Sequence, residues 1–268
     1  NQLSQIIRDF VYSPLSMFQN NILIGNFFTG LLVAILVGIV IFGGIKRIAK
    51  VASRMVPFMV GMYLIAAIII LGKNVGEIPG VFILIFQDAF DGSSVTGGAL
   101  GSMIIIGVRR GLFSNEAGTG TETMAHGAAK TKEPIREGLV AMLGPFIDTI
   151  IVCSITAIII LISGVHNQNY NGVTLTAAAF EKELGLPGQL FLTLAVLTFA
   201  FSTMFGYSYY GRKCVSFLFG TQWKKTYNWV YILTIIVASV TSIDIAVNFV
   251  DSAYALMVIP TMIGTILL

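Results

Sequence analysis

Apolar residues along this chain come in long blocks rather than at alternating or amphipathic spacing. The run "FFTGLLVAILVGIVIFGGI", Phe27 to Ile45, carries no charge and matches the ~20 residues that carry a helix across a bilayer. Five further apolar runs predict spans: Val56 to Gly72, Leu139 to Gly164, Gly188 to Tyr210, Trp229 to Val247 and Phe249 to Leu268. Pro145 and Pro260 lie inside two of them and predict kinks. Between the runs, "VGEIPGVFILIFQDAFDGSS" predicts a Pro-Gly turn and then a surface helix with Asp88 and Asp91 toward its end. "HNQNYNGVTLTAAAFEKELGLPG", His166 to Gly188, predicts a second loop helix capped by Thr176. Asp244 and Asp251 are expected to flank an outer turn joining the last two spans, with Tyr207, Tyr209 and Tyr210 approaching a membrane face.

Basic residues orient these blocks. Lys46, Arg47, Lys50 and Arg54 form one cluster, Arg109, Arg110, Lys130, Lys132 and Arg136 a second, and Arg212, Lys213, Lys224 and Lys225 a third. If all three face the cytoplasm, the region Val81 to Ala129 must cross once. Its one uninterrupted apolar run after the Gly97-Gly98 pair, "ALGSMIIIGV", is about half of the ~20 residues required. The rest of the crossing has to come from the polar stretch "RRGLFSNEAGTGTETMAHGAAK", Arg109 to Lys130. That pattern predicts a discontinuous helix, whose unwound backbone is tolerated because it lines a cavity. Thr119-Gly-Thr-Glu122 has capping-box spacing, so a short second helix is expected to start near Gly120, with free N–H groups suited to a carboxylate. The competing expectation is a cytoplasmic loop following Arg109 and Arg110.

Composition removes whole classes of function. With 56% hydrophobic and 11% charged residues, the chain lacks the exterior of a soluble domain. Its formal charge of +3 is an orientation signal and not a nucleic-acid footprint. Cys153 and Cys214 suggest neither a disulfide framework nor a metal pair. The chain opens on Asn1 and ends inside an apolar run, which suggests a piece of a longer protein.

Four constellations carry candidate chemistry. In Ser114-Asn115-Glu116-Ala117-Gly118-Thr119-Gly120, glycines admit a small ligand to the backbone, and oxygens can serve a hard cation such as Na⁺. "SSVTGGALG", Ser93 to Gly101, is a second candidate break, or the point where an outer loop enters the membrane. In "FAFSTMFGYSYYGRKC", Phe199, Ser202 and Thr203 share a helix face, with Tyr207 one turn beyond Thr203. A carbonyl and two hydroxyls would suit Na⁺, while hydroxyls bonded back to their own helix are the commoner outcome. Asp148 is a carboxylate within an apolar run, fit for a cation, a proton or a structural pairing. Glu122 and His126 stand at i, i+4, the spacing of two metal ligands, with no third ligand evident nearby.

The segments "GGIKRIAKVASRMVPFM", "RRGLFSNEAGTGTETMAHGAAKT", "GLVAMLGPFIDTIIVCSITAIIILISGV" and "FAFSTMFGYSYYGRKC" resemble the alanine/glycine:cation symporter family, also called sodium:alanine symporters, over nearly the whole chain. The resemblance implies an all-α polytopic membrane protein with a LeuT-type inverted-repeat fold. Here it would be partial: a single transmembrane transporter domain over residues 1–268, of about seven segments with one discontinuous. It implies symport of a small neutral amino acid, alanine or glycine, with Na⁺ or less readily H⁺, in a bacterial or archaeal cytoplasmic membrane. No cofactor is implied beyond Na⁺ as coupling ion, and the expected partners are the amino acid and membrane lipid. The substrate would meet Ser114, Asn115, Gly118 and Thr119, with Tyr207 closing the pocket. The cation would meet Phe199, Ser202, Thr203 and Asp148.

The family's first broken helix precedes the region matching Asn1, so the chain is expected to hold the C-terminal part of the fold and not to transport alone. Gln2 resembles a family glutamine that ends a helix near the site. Where relatives often read "SNEAGLGSAP", this chain reads "SNEAGTGTET", in which Thr119 and Thr121 to Thr123 add hydroxyls that alter the expected selectivity. An ion channel with a re-entrant polar segment and a membrane metalloenzyme built on Glu122 and His126 are the competing classes. Broken helices in both halves of a parent chain would favour the symporter over a channel, and bound metal would favour the enzyme.

Overall fold

The computed structural model describes residues 2–13, 21–90, 104–108, 111, 117–168, 170 and 172–267, and they are helical nearly throughout. In chain order the helices are α1 (Gln2–Ile7), α2 (Ile22–Ile41), α3 (Gly44–Lys73), α4 (Ile78–Phe90), α5 (Glu122–His126), α6 (Pro134–Ser163), α7 (Val173–Leu184), α8 (Leu186–Phe219), α9 (Lys224–Val240) and α10 (Ile243–Leu267). Five of them, α2, α3, α6, α8 and α10, are long and apolar enough to cross a membrane. Their outward sides stay apolar, as at Ile266, which is 82% exposed, a surface suited to lipid rather than water.

Several boundaries differ from expectation. The second span is the end of a 30-residue helix, α3, that begins at Gly44 and carries the first basic cluster on its opening turns. Arg47 reaches back to donate to the Ile39 carbonyl at 2.8 Å, satisfying one of the acceptors that the end of α2 leaves open. The last two spans divide at Thr241-Ser242 rather than near Asn248, because Thr241 turns extended and the Ser242 carbonyl accepts the first bond of α10 from Ala246. Asp244 and Asp251 therefore both lie within α10 instead of flanking a turn. Pro79 stands inside the first turn of α4, where a missing N–H costs nothing, so the predicted Pro-Gly turn is helix. Helix α7 starts at Val173 behind Gly172, which leaves Thr176 inside the helix and not at its cap. Asp91 and the break at Gly97-Gly98 lie outside the described residues, and of "ALGSMIIIGV" residues 104–108 are helical.

Contacts divide the chain into two units, one of Asn1–Ala66 with Asn171–Phe249 and one of Ala67–Tyr170 with Val250–Leu268. In the first, α2 and α9 pack antiparallel: Gly30 meets Ser239, Gly38 meets Ile232 at 3.2 Å and the Phe42 and Trp229 rings stack with centroids 5.1 Å apart. Gly30, Ala34 and Gly38 recur every fourth residue, so one face of α2 has almost no side chain and the backbones approach closely. Between lipid-embedded helices such fit and polar contacts replace the hydrophobic drive. The Tyr231 hydroxyl supplies one such contact, donating to the Met204 carbonyl of α8 at 2.8 Å. Leu3, Ile6, Val33, Val37, Ile41, Ile48 and Phe205 form the core of this unit.

In the second unit, the end of α6 packs on α4, with Ile159 fully buried. Helix α6 runs from Pro134 at its first turn to Ser163, and over Phe146–Cys153 it widens into a π-helix that contains Asp148. This irregularity follows directly on Pro145, whose ring disrupts regular bonding at the preceding turn.

Candidate substrate and cation sites

Ala117 to Thr121 is a turn and not helix, followed by the five-residue α5. Gly120 sits at φ +77°, a conformation that other residues reach only with strain. A Cβ there would also stand 2.6 Å from the Thr261 hydroxyl, so both backbone and space require glycine. Thr119 and Thr121 are 4% and 2% exposed, and their hydroxyls share a hydrogen bond of 3.1 Å. The Thr261 hydroxyl on α10 lies 3.1 Å from the Thr119 carbonyl and 3.0 Å from the Met257 carbonyl, one donor facing two acceptors. Thr123 donates to the Gly120 carbonyl at 2.7 Å. The turn is thus irregular, buried and polar, with hydroxyls meeting needs that a helix would meet through its own backbone.

The capping box is absent. Thr121 precedes α5 in helical conformation without a side-chain cap, and Glu122 turns to His126 instead, 3.3 Å from Nε2. Of the residues expected at the substrate, Gly118 and Thr119 belong to this turn, while Ser114 and Asn115 lie outside the described residues.

On α8 the Ser202 hydroxyl donates to the Phe199 carbonyl at 2.8 Å. This is the back-bonded arrangement that Ser commonly takes in a membrane helix, yet it also sets two oxygens side by side, and the Ser202 oxygen keeps its lone pairs. Phe199 is 54% exposed and Thr203 is exposed, whereas Phe205, Ser208 and Tyr209 on the same helix are buried. The expected cation face therefore turns away from the core of its own unit. Tyr207 packs edge-on against Tyr210, with ring centroids 5.7 Å apart. Asp148 lies on α6 in the other unit, half-buried within the π-helical stretch.

Two residues escaped the sequence. Thr261 reads in the sequence as one more hydroxyl in an apolar run, although its place directly after Pro260 is a signal that helix bonding is disturbed there. Glu137 lies eleven residues beyond His126 and bonds its Nδ1 at 2.7 Å, so a third polar group does stand beside Glu122 and His126. Together with Ala117, Gly120 and Thr123 they line a groove of about 530 Å³. The carboxylates approach opposite nitrogens of the ring and do not converge on one point, and among the described residues no group of three could hold a metal ion.

A family model described as the sodium:alanine symporter family matches residues 10–268. The chain belongs to this family. It is similar to the sodium/alanine symporter AgcS of Methanococcus maripaludis, 41% identical over 244 residues, covering 90% of this chain and 54% of that protein. It is similar as well to the probable sodium/glutamine symporter GlnT of Bacillus subtilis, 36% identical, covering 89% and 50%. The sodium/proton-dependent alanine carrier protein of Bacillus sp. strain PS3 is 37% identical, covering 78% and 50%. The chain spans about half the length of these relatives. Membership makes it a multi-pass membrane protein of a transporter family and not an enzyme, which sets aside the metalloenzyme. Of these relatives, two carry alanine in their names and one glutamine.

Proposed function

We propose that the protein acts as a secondary active symporter for a small neutral amino acid, alanine or glycine, driven by Na⁺ across a bacterial or archaeal cytoplasmic membrane. The observation that carries this is the glycine-dependent turn Ala117–Thr121, with Thr119 and Thr121 buried, in a chain of apolar spans. Backbone that leaves the helix at membrane depth exposes amides and carbonyls able to meet both charged ends of a zwitterion. Gly118 and Thr119 are the contacts assigned here, with Ser114 and Asn115 next to them in sequence.

The coupling ion is assigned to oxygens on α8: the Phe199 carbonyl and the Ser202 and Thr203 hydroxyls. Hard cations take such ligands readily. Coupling requires that one solute favour the state that binds the other, by about 1–3 kcal/mol. The LeuT-type inverted repeat is the fold we assign to the whole carrier, because discontinuous helices near the bilayer midplane are its binding elements.

Uptake of radiolabelled alanine by proteoliposomes holding the full-length carrier tests this. Accumulation should follow an imposed Na⁺ gradient and collapse when choline replaces Na⁺. Equal uptake under a proton gradient alone would replace Na⁺ by H⁺, and no gradient-driven uptake of alanine or glycine would refute the assignment.

A further inference from the structure

His126 stands between two carboxylates on opposite sides of its ring: Nδ1 is hydrogen-bonded to Glu137 Oε1 at 2.7 Å, and Nε2 lies 3.3 Å from Glu122 Oε1. A neutral imidazole has one N–H, and ionised carboxylates only accept. In either tautomer, one ring nitrogen would therefore turn a lone pair toward a carboxylate oxygen. One added proton, on the ring or on a carboxylate, turns that contact from repulsive to attractive. It belongs to the cluster rather than to one residue.

The partners sit on different segments. Glu122 and His126 belong to α5, which continues the turn Ala117–Thr121, whereas Glu137 belongs to α6, across a connection of non-helical residues 127–133. We propose that Glu122, His126 and Glu137 form a proton-binding latch that ties α5 to the start of α6. It is closed while the cluster holds its proton and released when the proton leaves. The latch opens as pH rises. All three side chains are partly screened from solvent, so the pairing is not lost to water as an exposed pair would be.

Among the described residues, the surrounding charges do not compete for the ring. Glu133 and Arg136 pair with each other at 3.2 Å and are exposed, and Lys130 and Lys132 are exposed on the connection. Gly144 leaves room for Glu122 Oε1, which would stand 3.3 Å from a Cβ there. From α10, the residue packed at Gly120 is the uncharged Thr261. Any bearing of the latch on transport rests on the substrate assignment above, but the latch itself is measurable without transport.

The test uses the full-length carrier in lipid nanodiscs. Over a pH series from about 5 to about 8, amide hydrogen exchange is followed over residues 122–129 and corrected for its intrinsic pH dependence. Loss of one charge-assisted bond should lower protection about tenfold. His126→Gln and Glu137→Gln should remove that pH dependence, and His166→Gln, altering the chain's other histidine, should keep it. In the unsubstituted protein, the imidazole ¹⁵N signals of His126 should lose one protonated nitrogen, or shift as a carboxylate proton leaves, over the same pH range as the protection changes. Protection independent of pH, or equally pH-dependent in His126→Gln, would overturn the latch. So would ¹⁵N signals that change while protection does not.

Discussion

The Thr261 hydroxyl reaches the Thr119 carbonyl at 3.1 Å across 142 residues of sequence, and the same hydroxyl stands where a side chain on Gly120 would have to go. One contact therefore fixes both the shape of the turn and its attachment to α10. Thr261→Val removes the donor and leaves a buried carbonyl without it, at a cost of about 1–3 kcal/mol. Faster hydrogen exchange at residues 117–124, with exchange on α9 unchanged, is the expected result.

Gly120→Ala is expected to be worse than Thr261→Val, because it adds left-handed strain of about 1–2 kcal/mol to a collision with Thr261. The double variant Gly120→Ala with Thr261→Ala should recover the steric part alone. Thermal unfolding of the unsubstituted protein, Gly120→Ala, Thr261→Ala and the double variant in one lipid measures the coupling, and strictly additive losses would contradict the shared contact.

Gly30→Ala should loosen α2 from α9, since the added methyl collides with Ser239. Overpacking of this kind costs about 1–3 kcal/mol. Gly61→Ala on α3, where nothing lies within 4 Å, should be neutral or stabilising by helix propensity. The SDS fraction at half-unfolding checks both.

Tyr231→Phe deletes the bond to the Met204 carbonyl while keeping the ring. Bonds between membrane helices average roughly 0.6 kcal/mol, so a loss on that order is expected, read by the same unfolding assay. A loss several times larger would mean that Tyr231 supports more than the pairing of α8 with α9.

Ser202→Ala removes an oxygen assigned to Na⁺ and leaves the Phe199 carbonyl in its helix. The Na⁺ concentration at half-maximal uptake should rise about tenfold, with the alanine dependence at saturating Na⁺ little changed. An unchanged Na⁺ dependence would assign Ser202 to the back-bond alone.

Long-range order of the fold was legible because length and apolarity alone define a membrane helix: α2, α3, α6, α8 and α10 all overlap predicted runs. Their ends were not, because ends are set by local polar contacts. Arg47 folding back on Ile39 and Ser242 receiving the first bond of α10 are single hydrogen bonds that no hydropathy window registers. A turn near Gly120 was legible because the stretch around it is rich in glycine and polar residues. Its anchor, Thr261, was not, since a hydroxyl in a span reads alike whether it bonds its own helix or a distant turn. Glu122 shows the limit of motif spacing. It satisfies the capping-box pattern, yet a histidine one turn on draws the carboxylate away from the backbone.

The central claim is that the turn beginning at Ala117 meets the transported amino acid, and thiol protection addresses it most directly. Cys153 and Cys214 are exposed, so they are first replaced by Ala in the full-length carrier, and Ala117→Cys is introduced. With Na⁺ present, saturating alanine should slow alkylation of this thiol by a small water-soluble maleimide severalfold, and Na⁺ alone should not. Alkylation at an unchanged rate, in a carrier that still takes up alanine, would contradict the account.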